Sequence, residues 1–112
     1  MVFIIADPGL VGDFKKICIW DLDKNEKVKE ALLVEDTLSL GWICGGSMLL
    51  ALLSNGTIHL YSFPSLMRHR MVPGHTMVNG KQFTRGAIAT HASSGKFATC
   101  CSEDIRIWKV KG

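Results

Sequence analysis

The chain has 112 residues, 47% of them apolar and 21% charged, with a formal net charge of +3. That length fits one small domain, and the apolar share is enough to bury a core, so intrinsic disorder is not expected. Collagen, coiled coil, membrane-spanning helix and disulfide scaffold are excluded as classes by composition and by the shortness of every apolar run.

In chain order, the first expected strand is Val2-Phe3-Ile4-Ile5-Ala6, followed by a loop at Asp7-Pro8-Gly9. This N-terminus has no basic region ahead of its apolar run, so a secretory leader is not expected and an intracellular, cytoplasmic setting is, with the nucleus open. Ile17-Cys18-Ile19-Trp20-Asp21-Leu22 reads as the next strand. Leu38-Ser39-Leu40-Gly41-Trp42-Ile43 follows, then a Gly45-Gly46 turn, Met48-Leu49-Leu50-Ala51-Leu52-Leu53 and the turn Ser54-Asn55-Gly56. Asn-Gly between β-rich runs is a hairpin signal, because a type I′ turn needs positive φ at both central residues. Ile58-His59-Leu60-Tyr61-Ser62-Phe63 comes next, with an outer strand around Arg68 and Arg70. The last group is Ala87-Ile88-Ala89-Thr90-His91, a turn at Ser94-Gly95, Lys96-Phe97-Ala98-Thr99-Cys100-Cys101, a turn at Ser102-Glu103-Asp104, and Ile105-Arg106-Ile107-Trp108-Lys109-Val110. No stretch carries a helical period, so the fold class is all-β.

Three of these strands are copies of one pattern: β-branched, any residue, aliphatic, aromatic, polar, apolar. Their aromatic positions are Trp20, Tyr61 and Trp108, spaced by 41 and 47 residues. A four-stranded propeller blade repeats at roughly 40–45 residues. The organisation expected is strands b–d of one blade over 1–36, a whole blade over 37–72, a connecting loop over 73–86, and strands a–c of a third blade over 87–112. A closed propeller needs at least four blades, each covering its neighbours. The polypeptide is therefore expected either to belong to a longer propeller or to complete a ring with another chain.

The chain resembles the WD40 repeat family over nearly its whole length. Asn55 precedes Tyr61 by six residues, where the family usually carries Asp and Trp. Gly74-His75 resembles the dipeptide ahead of the first strand of such blades, and Ile-Cys-Ile-Trp-Asp at 17–21 resembles the ending that names the family. The resemblance implies an incomplete WD40-type β-propeller of antiparallel four-stranded blades. It also implies a buried hydrogen-bond set of His, Ser or Thr, Asp and Trp, for which His75, Thr99, Asp104 and Trp108 are the available residues. Trp20, Tyr61, Trp108, Asn55, His75 and Asp104 are thus expected to be structural.

Charge is unevenly spread. Residues 1–36 hold eight acids against five lysines, whereas 37–102 hold no acid and five cations: Arg68, Arg70, Lys81, Arg85 and Lys96. Residues 66–86 are the densest basic stretch, and their loop belongs to the face that propellers use for recruitment. Arg68, Arg70, Lys81 and Arg85 are the expected contacts, favouring acidic segments of protein partners. Phe83-Thr84-Arg85-Gly86 also resembles the Phe-Arg-Arg-Gly of phosphoinositide-binding propellers with one arginine missing, which makes membrane lipid the alternative ligand. Nucleic acid would need denser phosphate-neutralising charge.

No chemistry is expected. His59, His69, His75 and His91 have no H-x-x-x-H spacing and no cysteine at zinc-finger distance. Cys18, Cys44, Cys100 and Cys101 lack a C-x-x-C pair and read as reduced, largely structural thiols. No nucleophile or glycine-rich phosphate motif is present. The expectation is a non-enzymatic scaffold with no metal and no cofactor, serving protein–protein interaction within a complex.

Overall fold

The structure is a computed structural model that describes residues 15–33, 35–91 and 93–110 in full, with the backbone of 2–7. Pro8 and Gly9 of the first expected loop lie outside these residues. Among the described residues ten strands form three antiparallel meanders: β1 (Val2–Asp7), β2 (Lys15–Asp21) and β3 (Glu26–Leu33); β4 (Thr37–Ile43), β5 (Met48–Leu53), β6 (Ile58–Ser62) and β7 (Met67–Val72); and β8 (Gly86–Thr90), β9 (Lys96–Cys101) and β10 (Asp104–Lys109). A 3₁₀ turn over Cys44–Gly46 is the one helical element among the described residues. The chain divides into two compact units, 1–36 and 37–112.

In the first unit β2 is the middle strand and carries the buried Ile17, Cys18 and Ile19. The β2–β3 turn forms because the Asp21 carboxylate accepts the backbone N–H groups of Asp23 at 3.0 Å and Lys24 at 3.3 Å. Such an Asx turn mimics a backbone turn and orders the hairpin locally. Lys27 lies 2.8 Å from Glu30, and this hydrogen bond, with Lys16 nearby, holds the Glu30 carboxyl below its ordinary range.

In the second unit the run Met-Leu-Leu-Ala-Leu-Leu forms β5 although its residues favour helix. Context decides: Leu49 to Leu53 are all at most 2% exposed, so both faces of this strand are covered. Successive side chains alternate between faces. On one face Ile43, Leu50, Leu52, Ile58 and Leu60 form a single cluster with Phe97 and Cys101, edged by Leu38, Ile88, Trp108 and Val110. This cluster lies between the β4–β7 sheet and the β8–β10 sheet, and each fully buried aliphatic in it contributes about 1.5–3 kcal/mol. Register puts Leu49, Ala51, His59 and Tyr61 on the other face of the central sheet.

A bulge between Leu60 and Tyr61 interrupts the β6–β7 ladder, where Leu60 pairs with Arg70 but Tyr61 pairs with Arg68. Paired residues share a face, so the extra residue, His69, sends Arg68 to the Tyr61 face and Arg70 to the Leu60 face. All four cysteines are free thiols. Cys100 and Cys101 point to opposite faces of β9, and burial pushes the Cys101 thiol up, helped by Cys100 and Asp104.

Candidate interaction site

The segment 73–86 joins β7 to β8 and turns back over the β5–β6 turn. That turn is itself local chemistry: Asn55 Oδ1 accepts the Thr57 N–H at 3.0 Å, and Gly56 takes a φ of +87°. The turn's outer backbone is clasped twice. The His75 N–H donates to the Gly56 carbonyl at 2.9 Å, and the Phe83 N–H donates to the Ser54 carbonyl at 2.7 Å. Ser54 Oγ lies 2.8 Å from Gln82 Oε1 and donates to it. The approach is so close that a Cβ on Gly56 would collide with the His75 carbonyl.

From this clasp the His75 side chain reaches the third sheet. Its Nδ1 is 2.8 Å from Asp104 Oδ2 and its Nε2 is 2.7 Å from Thr99 Oγ1. Trp108 Nε1 donates to the same Thr99 oxygen at 2.9 Å, and Arg106 Nε donates to Asp104 Oδ2 at 3.0 Å. One assignment of protons satisfies every partner: Trp108 donates to Thr99, Thr99 to His75 Nε2, and His75 Nδ1 to the carboxylate. The Arg106 and His75 hydrogen bonds hold the Asp104 carboxyl below its ordinary range. Thr99 is 1% and His75 4% exposed, so this chain is interior structure.

Above it lies an open groove of about 630 Å³ whose walls are 76–83 on one side and 101–106 on the other. Val78 and Phe83 supply apolar surface, Lys81 and Arg106 cations, Glu103 and Asp104 acids. Arg106 is paired with Asp104, while Lys81 has no ion-pair partner among the described residues. The 78–81 hairpin that presents Lys81 is closed by the Lys81 N–H donating to the Val78 carbonyl at 3.1 Å.

Of the four basic residues singled out in the sequence, only Lys81 lines this groove. Arg85 is exposed just before β8, and Arg68 and Arg70 are exposed on opposite faces of β7. The acid-free stretch is also not an acid-free surface, because Glu103 and Asp104 are folded against it. Trp20, Tyr61 and Trp108 are each the penultimate residue of their strands, with Tyr61 buried and the two tryptophans half-buried. Asn55 acts within its own turn, accepting the Thr57 N–H.

Sequence reasoning missed His59 paired with Tyr61, Nδ1 to Oη at 3.1 Å, although their i, i+2 spacing on a strand places them on one face. Burial pushes the His59 pKa down, Arg68 adds to that shift, and burial pushes the Tyr61 phenol up. Among the described residues no three His, Cys, Asp or Glu side chains gather as a metal site requires.

No protein-family model matches the chain, and no curated protein does. Among solved structures, a chain of the "Crystal Structure of Mitotic Checkpoint Complex" superposes with a TM-score of 0.72 over 97% of this chain, at 17% identity. The present chain spans 34% of that protein's length. The neighbour is a β-propeller, and the fold of this protein is accordingly that of an incomplete β-propeller built from successive antiparallel blades.

Proposed function

We propose that this protein is a WD40-type propeller element that works as a non-enzymatic, cytoplasmic scaffold for protein–protein interaction, binding partner segments in the groove between 76–83 and 101–106. The observation that carries the reading is the groove's construction. One wall is the β7–β8 connection clasped onto the β5–β6 turn, the other is the β9–β10 turn and the start of β10, and the two are tied together through His75 to Thr99 and Asp104, which gives a preformed surface. The structural neighbour belongs to a multiprotein complex, which supports a partner-binding role. Val78 and Phe83 offer an apolar floor and Lys81 an unpaired cation, a combination suited to a segment with a bulky apolar side chain next to a carboxylate. Arg85, exposed on the same connecting segment just before β8, adds a second positive charge to it.

The alternative ligand, an anionic membrane surface, is disfavoured by Glu103 and Asp104 on the same rim. The test is capture of partners from cell extract by the tagged chain, compared with a Lys81→Glu/Arg85→Glu variant at low and high salt. Salt-sensitive capture that the variant loses supports the reading. Capture indifferent to both changes, or binding of phosphoinositide vesicles that depends on Arg85 in place of protein capture, overturns it.

A further inference from the structure

β7 is the last strand of the central sheet in pairing order. It pairs with β6 on one side, and among the described residues no strand pairs with its other edge. Residues 67–71 are exposed without interruption, Met67 at 69% and Met71 at 58%. Propeller blades stack through their faces, so a neighbouring blade covers the faces of a sheet and leaves this outer edge open.

The bulge at His69 distributes the side chains along that edge. Register puts Arg68 and Met71 on the face of Tyr61 and His59, and Met67 and Arg70 on the face of Ser62 and Leu60. Each face thus shows one arginine and one methionine. A ligand lying on either face would meet half of the set, whereas a strand laid alongside the edge has side chains on both faces and meets all four. Neither arginine has an ion-pair partner among the described residues. The outer strand of the first sheet differs: β3 mixes Glu26, Lys27, Lys29 and Glu30, and closes Lys27 on Glu30 at 2.8 Å.

We propose that the free edge of β7 takes up an extended segment of a partner protein as a further strand, independently of the loop groove, and that this segment carries two consecutive acidic residues between two apolar ones. Main-chain hydrogen bonds hold such a strand and its alternating side chains give specificity. Arg68 and Arg70 lie on opposite faces, so the carboxylates that meet them must alternate too, and residues adjacent in sequence do so. Tyr61 and Leu60, on the inner side, already stand in that relation to the same two arginines. The flanking residues then fall beside Met67 and Met71. A straight edge would ask instead for acids two residues apart. Charged edge residues ordinarily refuse strand pairing; this pair refuses basic and apolar strands and admits the one that neutralises it.

The experiment is an NMR titration of the isotope-labelled full chain with the capped peptide Thr-Val-Glu-Glu-Val-Thr, carried to about 1 mM because a single short strand binds weakly. The expected result is saturable shifts centred on Met67–Val72. Thr-Val-Glu-Ala-Glu-Val-Thr should bind about fivefold more weakly, since it matches one arginine at a time. Arg68→Glu and Arg70→Glu each weaken the first peptide several-fold, and the double variant prefers Thr-Val-Lys-Lys-Val-Thr. Both arginines are exposed, so these variants keep a native amide spectrum, and Lys81→Glu leaves the binding unchanged. Absence of shifts on β7 overturns the proposal, as do shifts confined to 76–83 and 101–106. Equal binding of the alanine-spaced peptide overturns it too, and so does a folded double variant that ignores the lysine peptide.

Discussion

Thr99→Val isolates the interior hydrogen-bond chain with almost no change of shape. Thr99 Oγ1 is the relay of that chain, donating to His75 Nε2 at 2.7 Å and accepting from Trp108 Nε1 at 2.9 Å. Valine fills the same space and can do neither. The His75 side chain is fully buried, so its Nε2 is left with no donor and no water. An orphaned buried polar group costs about 1–3 kcal/mol. The Trp108 ring is half-buried, and water recovers part of what its N–H loses, so that bond adds about 1 kcal/mol. The expected loss is about 3 kcal/mol, or a midpoint lowered by roughly 12–24 °C for a unit of this size. Tryptophan fluorescence during urea unfolding, read in a Trp20→Phe background, reports the 37–112 unit through Trp42 and Trp108. In a Trp108→Phe background Thr99→Val should cost about 1 kcal/mol less, because the acceptor it removes no longer has a donor. A loss below about 0.5 kcal/mol in the parent would refute the argument, since it would mean that His75 finds another partner or is not interior.

Gly56→Ala and Gly80→Ala both force alanine to a positive φ, +87° and +70°, but only at Gly56 does a new Cβ strike backbone. Gly80→Ala should cost about 1 kcal/mol and Gly56→Ala at least about 2 kcal/mol more, measured by urea midpoints. Stability should be level between pH about 6.5 and about 8 and fall below that window, because the His59 pKa is lowered by folding: the unfolded chain takes the proton first, and the loss continues until folded His59 itself protonates. Asp104 adds an acid-side loss of its own, complete only once pH has dropped through its lowered folded pKa. Arg68→Gln should move the His59 titration upward in NMR and make the acid fall shallower, while Arg70→Gln, on the other face, should leave it unmoved.

The strands and their all-β class were legible because local signals agreed with one another. Turn chemistry at Asn55-Gly56 and at 102–104 bounds runs of aliphatic and β-branched residues, and the aromatic near the end of each repeat fixes the phase. His75, Thr99, Asp104 and Trp108 were named from a family resemblance despite unusual spacing, twelve residues from His75 to Ala87 and four from Asp104 to Trp108. The long interval is taken up by the 78–81 hairpin and the second clasp at Ser54, neither of which alters where His75 must sit. What stayed illegible was every feature decided by one residue of register. A single-residue bulge splits Arg68 from Arg70, and no local pattern announces it. The basic character of 66–86 was likewise a property of the string, since Glu103 and Asp104 enter its surroundings only through folding.

The groove and the interior chain are one device. Segment 73–86 runs long in the sequence, yet its backbone is held at both ends of the clasp, by His75 on Gly56 and by Phe83 on Ser54. The 78–81 hairpin between these points cannot drift far, so Lys81 and Val78 are presented at a fixed height over the 101–106 wall. That wall is positioned by Asp104, whose carboxylate is shared between His75 from below and Arg106 from within the groove. Arg106 is thereby neutralised and Lys81 is left as the cation a partner meets. Removing the Asp104 charge should therefore do two opposite things: loosen the wall by weakening its hold on His75, and free Arg106 to bind. Asp104→Asn should lower stability while making capture of acidic segments stronger and more salt-sensitive, a split that a groove unconnected to the core could not produce.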